Sequence, residues 1–324
     1  MHVVRNLADV RCPAAVALGN FDGVHRGHQQ VIAPVVSSAR GISTILTFDP
    51  HPRQVLSGQA LPTLTPLPER LQLFESYGIE QVVLLPFTPE FAAQSPADFI
   101  ATVLETGLET CAVSVGWDFC FGYRRSGNAQ TLQDWGKRMG VPVHSVSAVE
   151  LGGLRVSSSR IRDALTTGDV ELAATLLGRP YRLSGPVVTG DQRGRLLGFP
   201  TANVEVSETK VLPQFGVYCG WACWENSQEG DRQSSSPQPA VLNIGKRPTF
   251  DGERRSIEVH LLDWSGDLYG QHFTVELHKF LRPEMKFESL EHLKAQLAKD
   301  CQQAKTELAV ASSDTTPSTL SAQN

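Results

Sequence analysis

The feature that most restricts how this chain can fold is a rhythm that changes halfway along it. Up to about residue 146, short apolar runs at 14–18, 42–48, 81–86, 112–115 and 141–146 read as strands, and the stretches between them carry helical spacing. Thr65-Pro66 marks one helix start, with Leu67, Leu71 and Phe74 on one side. Ser95-Pro96-Ala97-Asp98 marks another before Phe99, Ile100, Val103 and Leu104, with Gly107 as its stop. Such alternation predicts an α/β domain whose parallel sheet is covered by helices on both faces and binds ligands at the carboxyl ends of its strands. Pro34 falls inside the first expected helix, where it predicts a kink or a short first turn.

From about Arg179 the helices drop out. Segments 181–189, 216–224, 256–263 and 272–277 are strand-like and separated by Gly, Asp and Asn turns, which predicts an antiparallel barrel or sandwich. Residues 225–239, with Ser234-Ser235-Ser236-Pro237, have the composition of an exposed hairpin loop. A last amphipathic helix is expected over 289–304, then a Ser/Thr-rich disordered tail. At 324 residues one core is strained, so the expected division is a domain at 1–178, a second at 179–305 and a tail at 306–324. No internal repeat is present.

A formal net charge of -5 and a pI near 6.0 give no global attraction to nucleic acid or anionic lipid, so anionic ligands must be held by local sites. No stretch approaches the ~20 apolar residues of a membrane span, and Arg5, Asp9 and Arg11 break the apolar runs that a signal peptide needs. Cys12, Cys111, Cys120, Cys219, Cys223 and Cys301 contain no CxxC pair and read as small buried hydrophobes, with Cys219 and Cys223 on one face of a strand. The expectation is a cytoplasmic protein with neither nucleic acid nor membrane as partner.

Chemistry concentrates in two places. The strand at 14–18 ends in Gly19-Asn20-Phe21-Asp22-Gly23-Val24-His25-Arg26-Gly27-His28, and a helix is expected to begin near His28. Glycines at 19, 23 and 27 let backbone approach a ligand, while His25 and His28 add imidazole donors to the unpaired N–H groups of a helix N-terminus. That is an anion site suited to a triphosphate, and donors aimed at a leaving phosphate stabilise its developing charge. His-x-x-His alone fits a metal site equally, but no Cys or carboxylate cluster stands at suitable spacing. In the second half, Gly194-Arg195-Leu196-Leu197-Gly198-Phe199-Pro200-Thr201-Ala202-Asn203 follows a strand-like segment. Thr201 and Asn203 share a face if the chain is extended, and a hydroxyl beside an amide suits Mg²⁺ and phosphate oxygens. By itself the block is more often an ordinary Gly/Pro turn.

The wider pattern carries a resemblance. The decamer 19–28 resembles the GxFDGxHxGH signature of the nucleotidyltransferase superfamily in its FMN adenylyltransferase form. Thr47-Phe48-Asp49-Pro50-His51-Pro52, Gly116-Trp117-Asp118-Phe119-Cys120-Phe121-Gly122 and Val156-Ser157-Ser158-Ser159-Arg160-Ile161-Arg162 follow in the family's order. The resemblance implies a Rossmann-like domain in which Gly19, Asn20, Phe21, Asp22, Gly23, Gly27, Ser157, Ser158, Ser159, Arg160 and Arg162 surround the ATP phosphates. It makes His25 and His28 catalytic and puts Asp118 and Phe119 on the flavin side. Cys120 departs from the family where a basic or hydroxyl residue is common, and Asn128 where an acid often stands. His51, between two prolines, reads as a turn former or a ligand contact.

The second block resembles the PTAN motif of riboflavin kinases, and Gly216-Val217-Tyr218, Asn243 to Phe250, Ile257-Glu258-Val259-His260, Gly266 to Gly270 and Leu281-Arg282 continue that family's order. It implies a β-barrel kinase with Gly194, Gly198, Thr201 and Asn203 on ATP, Thr201 and Asn203 also on Mg²⁺, and Arg282 at the flavin. Glu258 is then the base for the riboflavin 5'-hydroxyl, and is expected close to Thr201 and Asn203. From residue 1 to 300 the chain is similar to bacterial-type bifunctional riboflavin kinase/FAD synthetases. That implies ATP, riboflavin, FMN and FAD as small-molecule partners. The competing reading is a nucleotidyltransferase of other specificity with a flavin-binding regulatory β domain.

Overall fold

The computed structural model describes residues 1–59, 61–190, 194, 197–226, 233–249 and 252–314. By packing, the chain forms two units, Met1–Ser158 with Thr209–Val211, and Ser159–Glu208 with the chain from Leu212 onward.

The sheet of the first unit takes its strands from the expected apolar runs: β1 (His2–Val4), β2 (Ala14–Leu18), β3 (Ile42–Phe48), β4 (Gln81–Leu85), β5 (Ala112–Gly116) and β6 (Val143–Val146). All pairings are parallel, in the order β1-β4-β3-β2-β5-β6. Every residue of β2 and β4 is buried, because alternate side chains enter two separate cores. Val16, Leu18, Val83 and Leu104 join Leu132 and Trp135 on one face, where the helix Ala129–Met139 lies; Ala15, Ala17, Ile45 and Val82 join Ile32 and Phe74 on the other, under the helices Arg26–Val36 and Leu67–Ser76. These helices are α1 (Arg26–Val36), α2 (Leu67–Ser76) and α4 (Ala129–Met139); α3 (Pro96–Phe99) runs on into a π-helical stretch, Ile100–Gly107. Ser95 caps α3 through the Asp98 N–H, as the sequence predicts. α1 runs through Pro34 to Val36 as one helix; with two residues left to the end, the missing N–H removes one bond near a terminus.

In the second unit α5 (Ser158–Thr166) and α6 (Val170–Leu177) precede six strands: β7 (Tyr181–Val188), β8 (Ala202–Val204), β9 (Gly216–Asn226), β10 (Gln238–Thr249), β11 (Gly252–Leu261) and β12 (His272–Arg282). Every ladder is antiparallel, and β9 pairs with both β10 and β12, which closes β9-β10-β11-β8-β7-β12 into a barrel. Closure decides between the two expected architectures. α7 (Leu290–Asp314) lies on the outside, with Ala304 and Leu308 against Val217, Cys219 and Val241.

Some segments are built differently from the sequence reading. By packing, α6 goes with the barrel strands, because Val170, Ala173, Leu176 and Leu177 turn its apolar face onto β7 and β12. The last helix passes 304 and 306 to reach Asp314, since Leu308 still buries on the barrel and Glu307 pairs with Lys279 at 2.9 Å. Residues 315–324 of the expected tail lie outside the described residues. β10 occupies a segment rich in turn formers, Pro239, Asn243 and Gly245, where cross-strand pairing on both edges overrides local propensity. The hairpin expected around 225–239 is present as the Glu225↔Ser234 pairing, and its tip, 227–232, is outside the described residues.

Candidate functional site

Chain succession reverses at β2, whose neighbours are β3 on one side and β5 on the other. Such a switch point opens a crevice beyond the strands' carboxyl ends. The segment Gly19–His28 leaves β2 there, and Trp117-Asp118-Phe119 leaves β5 beside it. The loop is not relaxed backbone: Phe21 has φ of 53° and the β-branched Val24 φ of 40°, both in the left-handed region, with Gly23 at 89° between them. Strain of this kind persists only where surrounding bonds over-determine it, and the bonds are visible. The Asp22 carboxylate, 5% exposed, accepts the N–H groups of Leu64 (3.1 Å) and Thr65 (3.0 Å) and the Thr65 hydroxyl (3.3 Å); Thr65 Oγ1 in turn accepts the Gly23 N–H at 2.9 Å. Arg70, buried on α2, donates through Nη1 to the Asn20 carbonyl at 2.6 Å, and burial lowers the pKa of its guanidinium. The Ser158 hydroxyl donates to the Asp22 carbonyl at 2.8 Å.

The two histidines sit together but unequally. His25 is the N-cap of α1: its Nδ1 accepts the His28 N–H at 3.3 Å, and the residue is 6% exposed. His28, half-buried, stacks on it at 3.6 Å between ring centroids and 14° between planes, and meets Phe21 edge to face. A Cβ at Gly27 would press on the His25 ring, so that position keeps the pair in place. Of the two imidazoles expected to open onto one cleft, that of His25 is buried and that of His28 half-buried. A Cβ at Gly19 would likewise press on the Phe21 ring. Ser157 precedes α5, while Ser159, Arg160 and Arg162 stand on α5 and pack with the second unit. Asp118 is exposed and paired with Arg155 at 2.6 Å, Arg155 lies over the Trp117 ring, and Phe119 stacks on Phe121. Cys120 pairs across from Asn128, which caps α4. His51 caps the short helix Pro52–Ser57 by accepting the Arg53 N–H at 3.1 Å.

On the barrel, Val259 and Leu261 of β11 face the core with Ala202 and Val204 of β8, so Glu258 and Asn203 are turned to the outer face. Asn203 and Asn243 are the direct ladder partners of Glu258 on its two sides. Thr201 Oγ1 is 3.5 Å from Glu258 Oε2, and the Ser256 hydroxyl donates to Oε1 at 3.3 Å. In the adjoining block, Phe199 N–H bonds Gly194 O at 2.9 Å, Gly198 takes φ of 86°, and Pro200 O meets His260 Nδ1 at 2.8 Å. Arg195 and Leu196 of the same block, and Phe250 further on, lie outside the described residues. Sequence reasoning missed Gly190, which carries no motif. A Cβ there would overlap the Asn203 amide, so a larger residue would push that side chain from its place beside Glu258.

Arg282, expected at the flavin, is engaged in an ion pair at the end of β12. Its Nε and Nη2 grip both oxygens of Asp300 on α7 at 2.7–3.1 Å, and its Nη1 donates to Pro283 O. Asp300 is 1% exposed, so the pair anchors α7 to β12.

Fold and constellations define a chain of two joined transferase-type units, an α/β nucleotide-binding one and a barrel. Residues 8–160 match the FAD synthetase family model and 177–308 the riboflavin kinase model. The chain is 40% identical to the bifunctional riboflavin kinase/FMN adenylyltransferase of Pseudomonas fluorescens, over 93% of this chain and 96% of that one. It is 37% identical to that of Bacillus subtilis, over 92% and 93%. It belongs to the bifunctional riboflavin kinase/FMN adenylyltransferase family. A crystal structure from Streptococcus pneumoniae described as a macrolide-efflux protein superposes with a TM-score of 0.81 at 30% identity, over 94% of this chain and 98% of that one. In the present chain no helix among the described residues is long and apolar enough to cross a membrane.

Proposed function

We propose that the chain makes FMN from riboflavin on the barrel and FAD from FMN on the α/β unit, consuming one ATP at each step. The observation that supports this is that the two units carry chemically different polar groupings, one with the Glu258 carboxylate opposite the Asn203 amide and one with stacked histidines at a helix start.

On the barrel, Glu258 accepts the proton of the riboflavin 5'-hydroxyl as that oxygen attacks the γ-phosphorus, and ADP leaves. Thr201 Oγ1 and the Asn203 amide oxygen are hard donors beside that carboxylate, a set that fits Mg²⁺ carried on ATP phosphates. The ion, when bound, supplies charge neutralisation on the phosphates. Asn203 and Thr201 orient the phosphate end, and Gly190, Gly194 and Gly198 give the chain room to wrap it.

On the α/β unit, an oxygen of the FMN phosphate attacks the α-phosphorus of ATP and diphosphate leaves with the bridging oxygen. Charge grows on that diphosphate, and the positive end of the α1 dipole and the His28 imidazole stabilise it. His25 holds His28 by capping and stacking. Gly19, Asn20, Phe21, Gly23 and Gly27 form the backbone cradle, Asp22 fixes its shape from inside, and Ser157 and Ser158 serve the ATP side. Asp118 and Phe119 stand on the flavin side. A cytoplasmic location belongs to the same reading, since all six cysteines are free thiols and ATP is the common substrate.

The test is to incubate the purified chain with riboflavin and MgATP and to separate the flavins over time. FMN should rise before FAD, and FMN supplied alone should give FAD. Riboflavin that binds but is never phosphorylated would favour the regulatory-domain alternative, and an inert FMN would overturn the adenylyl transfer assignment.

A further inference from the structure

Lys210 belongs by sequence to the riboflavin kinase match, yet by packing it is part of the first unit. The chain leaves the barrel unit at Glu208, contributes Thr209–Val211 to the α/β unit and returns at Leu212. Those three residues run parallel to Thr63, whose N–H bonds Thr209 O at 2.7 Å and whose carbonyl accepts the Val211 N–H at 2.9 Å. Lys210 itself is 2% exposed. Its ammonium donates to the Leu64 carbonyl at 3.0 Å and pairs with Glu69 in the first turn of α2.

A buried ammonium is costly unless paired and hydrogen-bonded, so this one holds its neighbours in one arrangement. What it holds is the Leu64-Thr65 peptide, whose other side carries the nucleotide loop: Leu64 N–H and Thr65 N–H on the Asp22 carboxylate, and Gly23 N–H on Thr65 Oγ1. Each link from Lys210 to Gly23 is a bond of 3.3 Å or less, and the residue after Gly23 is Val24 at φ of 40°, which enters the His25 cap.

We propose that Lys210 is a positioning residue for adenylyl transfer: it fixes the Leu64-Thr65 strut, and through Asp22 and Gly23 the register of the loop that presents His28. The proposal rests on the reading that FMN is adenylylated on the first unit. Misplacing a catalytic group by even an ångström lowers a rate steeply. Loss of the strut should therefore appear in the turnover of FAD formation.

The experiment uses the full chain with three forms: parent, Lys210→Met, and Lys210→Met with Glu69→Leu. FAD formation from FMN and FMN formation from riboflavin are each measured at saturating substrates, beside the melting temperature. Lys210→Met should lower kcat for FAD formation roughly tenfold and leave FMN formation at the parent rate. The double variant leaves no lone buried charge, so it should regain melting temperature while kcat for FAD formation stays low. Recovery of that kcat together with stability would show a merely structural role and overturn the proposal, as would parent-like FAD formation in Lys210→Met or an equal loss of both activities. A parent that makes no FAD from FMN would instead defeat the functional reading beneath it.

Discussion

Thr201 and Glu258, 57 positions apart, meet at 3.5 Å on the outer face of the barrel because Asn203, two residues on, is the ladder partner of Glu258. The relation makes Glu258 testable as a base. Glu258→Gln keeps the size and removes the basicity, so riboflavin phosphorylation should fall by roughly a hundredfold or more. FAD formation from supplied FMN should be unchanged. A Gln variant that makes FMN at the parent rate would remove Glu258 from the mechanism.

The unequal exposure of the stacked histidines separates their roles. His28→Ala should lower kcat for adenylyl transfer by about 2–4 kcal/mol of transition-state stabilisation with little change in melting temperature. His25→Ala also removes the cap of α1, worth about 1 kcal/mol, so thermal unfolding should move down together with the rate. FMN formation should survive in both.

Arg282 offers a direct choice between two roles. As the partner of the buried Asp300 its replacement by Ala leaves a carboxylate uncompensated, a loss of about 3–5 kcal/mol, read by urea unfolding. Replacing the pair together with Met and Leu should restore most of that. A stable Arg282→Ala protein with a raised KM for riboflavin would assign the residue to the flavin instead.

Burial pushes the Cys219 thiol up to about 12, so at pH 8 almost none of it is thiolate, the nucleophilic form. Alkylation of the native protein followed by peptide mass spectrometry should leave Cys219 unlabelled until denaturant is added. Native labelling there would contradict its place between α7 and the barrel wall.

Much of the architecture was legible because local and global signals agree. The apolar runs at 14–18 and 42–48 became the central strands with the bounds expected, and Ser95 caps as its Pro-Ala-Asp sequel suggested. What was not legible depends on pairing between distant segments. Thr65 reads as a helix cap from its own neighbourhood, but Pro66 is the N-cap and the Thr65 hydroxyl serves the loop at Asp22 and Gly23. Arg282 follows a family motif, while its partner Asp300 lies on a helix whose seat on the barrel no motif announces. Glu258 could be set beside Thr201 only by the resemblance, since the register of β8 on β11 is fixed by closure of the whole barrel.

That closure also governs what happens during synthesis. β7 waits for β12, with Arg182 and Glu276 joined across 94 positions. Until the ribosome has delivered His272–Arg282, the earlier strands of the barrel have open edges and no partner to seal them. The first unit waits as well, though less long, since Lys210 comes well after its last strand. A nascent chain halted between β6 and Lys210 would hold a finished parallel sheet around an unfinished loop at 19–28. Newly made protein should therefore gain both activities late, and the exposed barrel strands are the stretch that a chaperone has most reason to cover.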